Sequence, residues 1–385
     1  MPVTLSALPK QMTTHGPLLF AHLGDLHITS ANSQNYLDFL SILVQLETDC
    51  RSYADFIVLP GDNADDGLPE QYELVATALK LVSSPLYVIT GDHDMASGNL
   101  DAFYSLPIAK TLPLAVTVRA VQCLFLDMSG EGAGGPDFRL GKEQLAWLSD
   151  QLVQSAAQGE TVVVFMHTYP ADCTDAQETT MLNQLIARHS VVLVDIGHTH
   201  YNELANDGHT IFAATRSTGQ IEEGPVGYSL VSIDEGTVSW RFKALHDAFP
   251  FVLITTPADY RLWREDEQPR VGGTTVVRAV VLGKQPARYV TCQLNQNTPV
   301  PMTCSPDGRV WEIELDVPQQ PVLTLTVEAT DNRGRPGRHT IDLANPFLST
   351  IIRHKQGSDA DLIGAWLQNG IPGTQLGPNR NGGAS

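Results

Sequence analysis

The chain has 385 residues, 42% hydrophobic and 17% charged, with a formal net charge of −19. That length and balance describe a folded globular protein with room for two domains rather than a disordered chain. The acidic surplus excludes a general binder of nucleic-acid polymers, which needs a basic face against the phosphate backbone.

Residues 1–17 contain one lysine and no continuous apolar core, so no signal peptide is expected. No stretch reaches the length and apolarity of a membrane span, and no membrane association is expected. The cysteines (Cys50, Cys123, Cys173, Cys292, Cys304) are scattered and make no CxxC pair, so neither a disulfide framework nor a thiolate metal site is indicated. A cytoplasmic protein with reduced thiols follows as the simplest expectation.

Up to about residue 248, short apolar runs alternate with amphipathic stretches. The runs at 18–24, 56–60, 86–90, 121–126, 161–166 and 191–196 have the length and β-branching of buried strands. Between them, 33–48, 70–82 and 141–155 repeat apolar residues at helical spacing, as in Leu145, Leu148 and Leu152. Alternating strand and helix predicts a layered α/β domain. After Phe249 the pattern changes to β-rich segments at 274–282, 288–294, 309–315 and 321–329, separated by turns such as Pro306-Asp307-Gly308. Roughly seven short strands in this span predict a small Ig-like β-sandwich. The remainder is a tail in which Ser358 could cap a short helix carrying Leu362, Ile363 and Trp366, ended by Gly370. The expected domains are therefore 1–248, 249–345 and 346–385.

The chemistry concentrates where the strands of the first domain end. The series is Gly24-Asp25-Leu26-His27, Gly61-Asp62-Asn63, Gly91-Asp92-His93-Asp94, Met166-His167 and Gly197-His198-Thr199-His200. Open α/β sheets bind their ligands at strand C-terminal ends. A carboxylate emerging from a buried strand also needs a compensating cation or donors. Carboxylate and imidazole donors without thiolate suit first-row ions such as Mn, Fe or Zn. At least seven donors are too many for one tetrahedral zinc, and two ions sharing a bridge would use them all.

In this order, D-x-H, GD, GD-H-D, H and G-H-x-H, the blocks resemble the signature of the calcineurin-like metallophosphoesterases, over about residues 18–245. The branch most similar is that of the class III cyclic-nucleotide phosphodiesterases and glycerophosphodiesterases. The resemblance implies an α/β/β/α sandwich and a dinuclear centre hydrolysing small phosphodiesters, 3′,5′-cyclic nucleotides among them. It assigns Asp25, His27 and His200 to one ion, Asp92, His167 and His198 to the second, and Asp62 as the bridge. His93 would face the substrate as proton donor, with Asp94 holding its imidazole. Such ions, about 3.5–4 Å apart, clamp the attacking and leaving oxygens and activate a water. The chain departs from the pattern at Asp92, where the family usually has asparagine. The extra negative charge should disfavour dianionic monoesters or favour a trivalent ion.

Several residues admit a plainer reading. His22 is expected to be a packed or hydrogen-bonded core residue, Asp65-Asp66 a solvated loop with substrate contact as the lesser alternative, and Cys173 a bystander with no basic neighbour to activate it. Arg216 and Asn63 are candidate substrate contacts, set against a salt bridge for Arg216. Phosphomonoesterases and protein phosphatases rank lower, because those relatives typically carry GNHE and more arginines. A non-catalytic scaffold is disfavoured because every expected ligand and His93 are present. The partner expected is a small phosphodiester, and self-association is left open.

Overall fold

Leu18–Leu23 (β1) shows how the sequence builds the fold. Its side chains alternate between two buried faces, Leu18 and Phe20 on one, Leu19, Ala21 and Leu23 on the other. A strand apolar on both faces belongs inside a layered structure, with something packed against each side. The computed structural model describes residues 16–130, 137–221, 224–265, 273–344 and 366–371.

In chain order the first region comprises β1, Gln34–Gln45 (α1), Phe56–Leu59 (β2), Pro69–Leu79 (α2), Leu86–Val88 (β3) and Asp101–Tyr104 (α3). Leu114–Val118 (β4), Val121–Phe125 (β5), Gly141–Gln158 (α4), Thr161–Phe165 (β6), Ala176–Arg188 (α5) and Val191–Ile196 (β7) follow. Glu203–Asn206 (β8), Ile211–Ala214 (β9), Gly227–Asp234 (β10) and Thr237–Ala244 (β11) complete it.

These strands form two mixed sheets. One has the order β11-β10-β1-β2-β3, with β1, β2 and β3 parallel and the β10–β11 hairpin antiparallel. The other runs β4-β5-β6-β7-β9-β8, parallel from β5 through β9. They pack face to face through an aromatic stack: Phe20 on Phe56 at 5.1 Å, Phe125 on Phe165 at 4.5 Å, and Phe20 edge-on to Phe165 at 5.2 Å. The outer face of the first sheet is covered by α1 and α2 through Phe39, Ile42, Tyr72 and Val75. The second is covered by α4 and α5 through Leu145, Leu148, Leu182 and Ile186. The result is a helix–sheet–sheet–helix arrangement with a core on each side of both sheets.

The later strands are Phe251–Thr256 (β12), Gly273–Leu282 (β13), Ala287–Leu294 (β14), Val300–Pro301 (β15), Thr303–Cys304 (β16), Trp311–Val317 (β17), Val322–Asp331 (β18) and Pro336–Ala344 (β19). They make two four-stranded antiparallel sheets, β12-β13-β17-β16 and β15-β14-β18-β19. Val277, Ala279 and Val281 of one and Cys292, Leu325 and Val327 of the other lie in one apolar cluster. That cluster also contains Trp240 and Phe242 of β11, so the C-terminal sheets share a core with the layered region. The expected helix over the tail falls mostly outside the described residues. The described part, 366–371, is a turn at Leu367–Asn369 that ends on Gly370 in the left-handed region.

Candidate metal centre

Strands β1, β2, β3, β6 and β7 each end in a loop, and backbone hydrogen bonds tie these loops together. The amides of Leu26 and His27 donate to Asp62 O at 3.0 and 2.8 Å, and Gly197 N donates to His167 O at 2.9 Å. His198 N donates to Asp25 Oδ2 at 2.7 Å, joining the two sheets at their carboxyl ends. The packing is close enough to demand glycine. A Cβ on Gly91 would lie 2.2 Å from Asp62 Oδ1, and one on Gly197 would lie 2.4 Å from Asp25 Oδ1. These glycines leave room for a neighbouring loop's carboxylate.

The side chains so placed fall into two sets of donor atoms, each set within 4.8 Å: Asp25, His27, Asp62 and His200, and Asp62, Asp92, His167 and His198. Asp62 belongs to both. Within the first, His27 Nε2 and His200 Nε2 face each other at 3.1 Å, and His200 Nε2 is 3.5 Å from Asp25 Oδ2. In the second, Asp92 Oδ1 lies 3.2 Å from His167 Nε2 and 3.5 Å from His198 Nδ1.

The electrostatics follow from crowding buried charges together. Burial would raise Asp62, but His167 and His27 outweigh it and hold it at about 2. Asp92 is likewise held well below the carboxylate range, the imidazoles of His167 and His198 overcoming its burial. Burial would lower His27 and His167, yet the surrounding carboxylates raise both. His200 drops to about 4, through burial with neighbouring His27 adding to it.

These residues suit divalent cations. Asp25 Oδ1 is buried with no hydrogen-bond partner among the described residues, and two imidazole nitrogens facing each other leave one lone pair unmet unless a proton or cation lies between them. The outward ring nitrogens are fixed as metal-binding histidines require. His167 Nδ1 donates to Pro60 O at 2.8 Å, and His27 Nδ1 is 3.1 Å from Asp65 Oδ1.

Four residues differ from the sequence-based expectation. Asp94 does not hold the His93 ring. Its carboxylate accepts from the amides of Asn63, Ala64 and Gly91, from Asn63 Nδ2 and from the Tyr72 hydroxyl. It thereby pins the Asp62 loop to the Asp92 turn, while burial and the charge of Asp62 push it up to about 6. The His93 ring is held instead by Asp65: Nδ1 donates to the Asp65 carbonyl at 2.6 Å, and the Asp65 carboxylate lies 3.7 Å away. Asp65 is thus no solvated bystander. It touches His27 and His93 together, and its place three residues after Asp62 in the same loop was the available signal. Asn63 is fully buried, and its Nδ2, the donor expected to meet a phosphate, is spent on Asp94 and the Ile89 carbonyl. Arg216 is 2% exposed, its guanidinium on the carbonyls of Pro225 and Gly370 and over the Phe242 ring. It has no surface left for a phosphate.

His22 is a core residue, its Nδ1 2.7 Å from buried Asp195 Oδ1 across the sheet interface. Cys173 is buried and its thiol pushed up to about 12 by that burial, with Glu178 adding to it. Two further residues border the site without any sequence signal. Phe138 places its ring 4.7 Å from that of His198, and Gln220 Nε2 donates to Asp65 Oδ1 at 3.2 Å.

Among the described residues no helix is long and apolar enough to cross a membrane. The chain is 29% identical over 204 residues to a glycerophosphodiester phosphodiesterase of Enterobacter lignolyticus, GpdQ, covering 48% of this chain and 71% of that one. To the 3′,5′-cyclic adenosine monophosphate phosphodiesterase CpdA of Escherichia coli it is 24% identical over 199 residues, covering 50% and 70%. A solved dimetal phosphatase from Danio rerio aligns with a TM-score of 0.45 at 14% identity, over 60% of this chain and 98% of that one. The model of the calcineurin-like phosphoesterase family matches residues 18–202, the span that carries all five strand-end blocks; this part of the chain is a calcineurin-like phosphoesterase domain.

Proposed function

We propose that the protein is a two-metal phosphodiesterase acting on small phosphodiesters, with glycerophosphodiesters and 3′,5′-cyclic nucleotides as the first substrates to test. The observation that carries this reading is one carboxylate, Asp62, common to two sets of oxygen and nitrogen donors. Asp25, His27 and His200 would hold one ion and Asp92, His167 and His198 the other, with Asp62 between them. Donors of this kind, with no thiolate, suit Mn, Fe or Zn. When bound, such ions neutralise phosphate charge and lower the pKa of a water.

The chain's own groups supply the rest. His93 is the most accessible member of the cluster, 34% exposed. The Asp65 carbonyl fixes its Nδ1 proton, so Nε2 is the nitrogen free to hand a proton to a departing alkoxide. Asp94 and Asn63 position the loops rather than touch substrate. The burial of Arg216 removes a guanidinium that would grip a dianionic monoester, which supports a diester as substrate.

We assign the layered region as the catalytic domain and residues 249–345 as an Ig-like supporting sandwich. A cytoplasmic location fits five unpaired cysteines. The test is elemental analysis of the purified protein joined to a hydrolysis panel of cyclic nucleotides, glycerophosphodiesters and phosphomonoesters. Two ions per chain and faster turnover of diesters are expected. A single ion, or monoesters turned over faster, would overturn the reading.

A further inference from the structure

Trp366–Ile371 comes from far down the chain and packs behind the loops that carry Asp25 and His200. Trp366 and Ile371 pair through their backbones at 2.9 and 3.2 Å, closing the segment on itself. Ile371 and Trp366 are both buried, and the Arg261 guanidinium lies 3.7 Å over the Trp366 ring. Asn369 grips two regions at once: its Nδ2 donates to Trp240 O at 3.1 Å, and its Oδ1 accepts from His339 Nε2 at 3.0 Å.

The segment reaches the metal centre through Gly370. Its carbonyl accepts from Asn202 Nδ2 at 2.9 Å and from an Arg216 Nη at 2.5 Å. Asn202 Oδ1 accepts from Arg216 N at 2.9 Å, so the three residues form a closed ring of hydrogen bonds. Asn202 lies two residues beyond His200. Arg216 opens the run that braces both loops: Ser217 N donates to His200 O at 3.3 Å, and Thr218 N and Gly219 N donate to Asp25 O at 2.8 and 3.0 Å. The hydrogen bonds from the segment therefore lead to Asp25 and His200 of the first donor set. Asp92 and His167, of the second set, are held by contacts that do not pass through it.

We infer that Trp366–Ile371 is a clasp that positions the Asp25–His27–His200 half of the centre, and that this half depends on it for ion affinity. The inference rests on the two-ion reading above. Groups that orient metal ligands from behind typically govern affinity by about 10- to 100-fold. Gly370 is the place to break the clasp without touching a ligand. It sits at φ 88°, and an added Cβ would lie 2.6 Å from Phe242 Cβ.

The test is Mn²⁺ titration of the metal-free full chain, following free Mn²⁺ by electron paramagnetic resonance, with the melting temperature measured alongside. Gly370→Ala and Asn202→Ala should keep one ion as tightly as wild type and bind the other at least tenfold more weakly. Leu367→Ala, on the exposed side of the same turn, should match wild type. In a His167→Ala background, which isolates the Asp25 half, Gly370→Ala should weaken the remaining ion at least tenfold. Two ions bound as in wild type by both clasp variants would overturn the inference. So would equal weakening of both ions in step with a lower melting temperature, which is general destabilisation. A wild-type chain that takes up fewer than two ions would instead remove the two-ion reading, and the clasp with it.

Discussion

Replacing Asp92 with asparagine isolates charge from shape. The substitution keeps an oxygen where Oδ1 now sits, 3.2 Å from His167 Nε2 and 3.5 Å from His198 Nδ1. With Asp25, Asp62 and Asp92 all ionised, two divalent ions keep one net positive charge; with the Asp92 charge removed they keep two. A phosphate reaching donors that lie within 4.8 Å of one another would sit roughly 6 Å from the lost charge. At an effective dielectric constant of about 20–40, that distance gives roughly 1.4–2.8 kcal/mol per unit of substrate charge. A dianionic monoester carries one unit more than a monoanionic diester. The ratio of kcat/KM for a diester to that for its monoester product should therefore fall about ten- to a hundred-fold. The assay measures both constants in wild type and Asp92→Asn at fixed metal, after elemental analysis shows two ions in each. An unchanged ratio with both ions present refutes the charge reasoning and leaves pocket shape to set the preference.

Asp62→Ala, by removing the oxygen common to both sets, should lower the bound metal measured by elemental analysis more than Asp25→Ala or His198→Ala does; two retained ions with normal activity would contradict the bridge. His93→Ala should slow diesters with alkyl leaving groups about 10²- to 10⁴-fold, and nitrophenyl diesters much less, since nitrophenolate needs little protonation. Equal losses on both would leave His93 only a phosphate contact. Asp65→Ala removes the partner of His27 Nδ1 and should weaken one ion about 10- to 100-fold; unchanged Mn²⁺ titration would assign Asp65 to the loop alone. His339 is held well below 6.5 by burial, with the Arg241 guanidinium adding to it, so below pH 6.5 the unfolded chain binds the extra proton and stability is lost as the pH is lowered. The slope is up to about 1.4 kcal/mol per unit. Urea midpoints at pH 7.5 and 5.5 should differ less in His339→Gln than in wild type, and equal differences would discount His339.

The layered architecture was legible because its parallel strands are buried on both faces and so appear as continuous apolar runs, such as Val191–Ile196. The ordered strand-end motifs were legible for a related reason: polar ligands stand out at the end of such runs. Helix α5 was not read, because its buried stripe is sparse; Leu182 and Ile186 point inward while Met181 is exposed. Strands β10 and β11 were also missed. Their alternation is blurred by buried Ser229, Ser232, Ser239 and Lys243, and the turn joining them, Glu235-Gly236 with φ of 52° and 87°, was the available hairpin signal. The roles of Asp94, Asn63 and Arg216 could not come from motif spacing. Each side chain points away from the cluster that its backbone helps build, and direction is set by tertiary partners such as Gly370, 154 residues beyond Arg216.

Four of the expected ligands pay a conformational cost that shows how the centre is held. His27, Asp62, His198 and His200 have φ of 44°, 49°, 62° and 61°, in the left-handed region that L-residues avoid. At about 1–2 kcal/mol each, the four together cost roughly 4–8 kcal/mol, comparable with the net stability of a whole domain. The imidazoles offset part of the repulsion among the three carboxylates, but these side-chain contacts do not by themselves set the backbone of the loops. What does hold these residues is backbone bonding between loops: Leu26 and His27 to Asp62 O, Thr218 and Gly219 to Asp25 O, and Ser217 to His200 O. The loops are thus fixed largely by backbone bonds, with the carboxylates of Asp25 and Asp62 adding bonds to the amides of His198 and His93. Truncating an imidazole donor should leave the other donors in place, whereas breaking one loop brace should move several donors at once. On that basis the residues that matter for the centre extend to Ser217, Arg216 and Asn202, which belong to neither donor set but hold the loops that carry them.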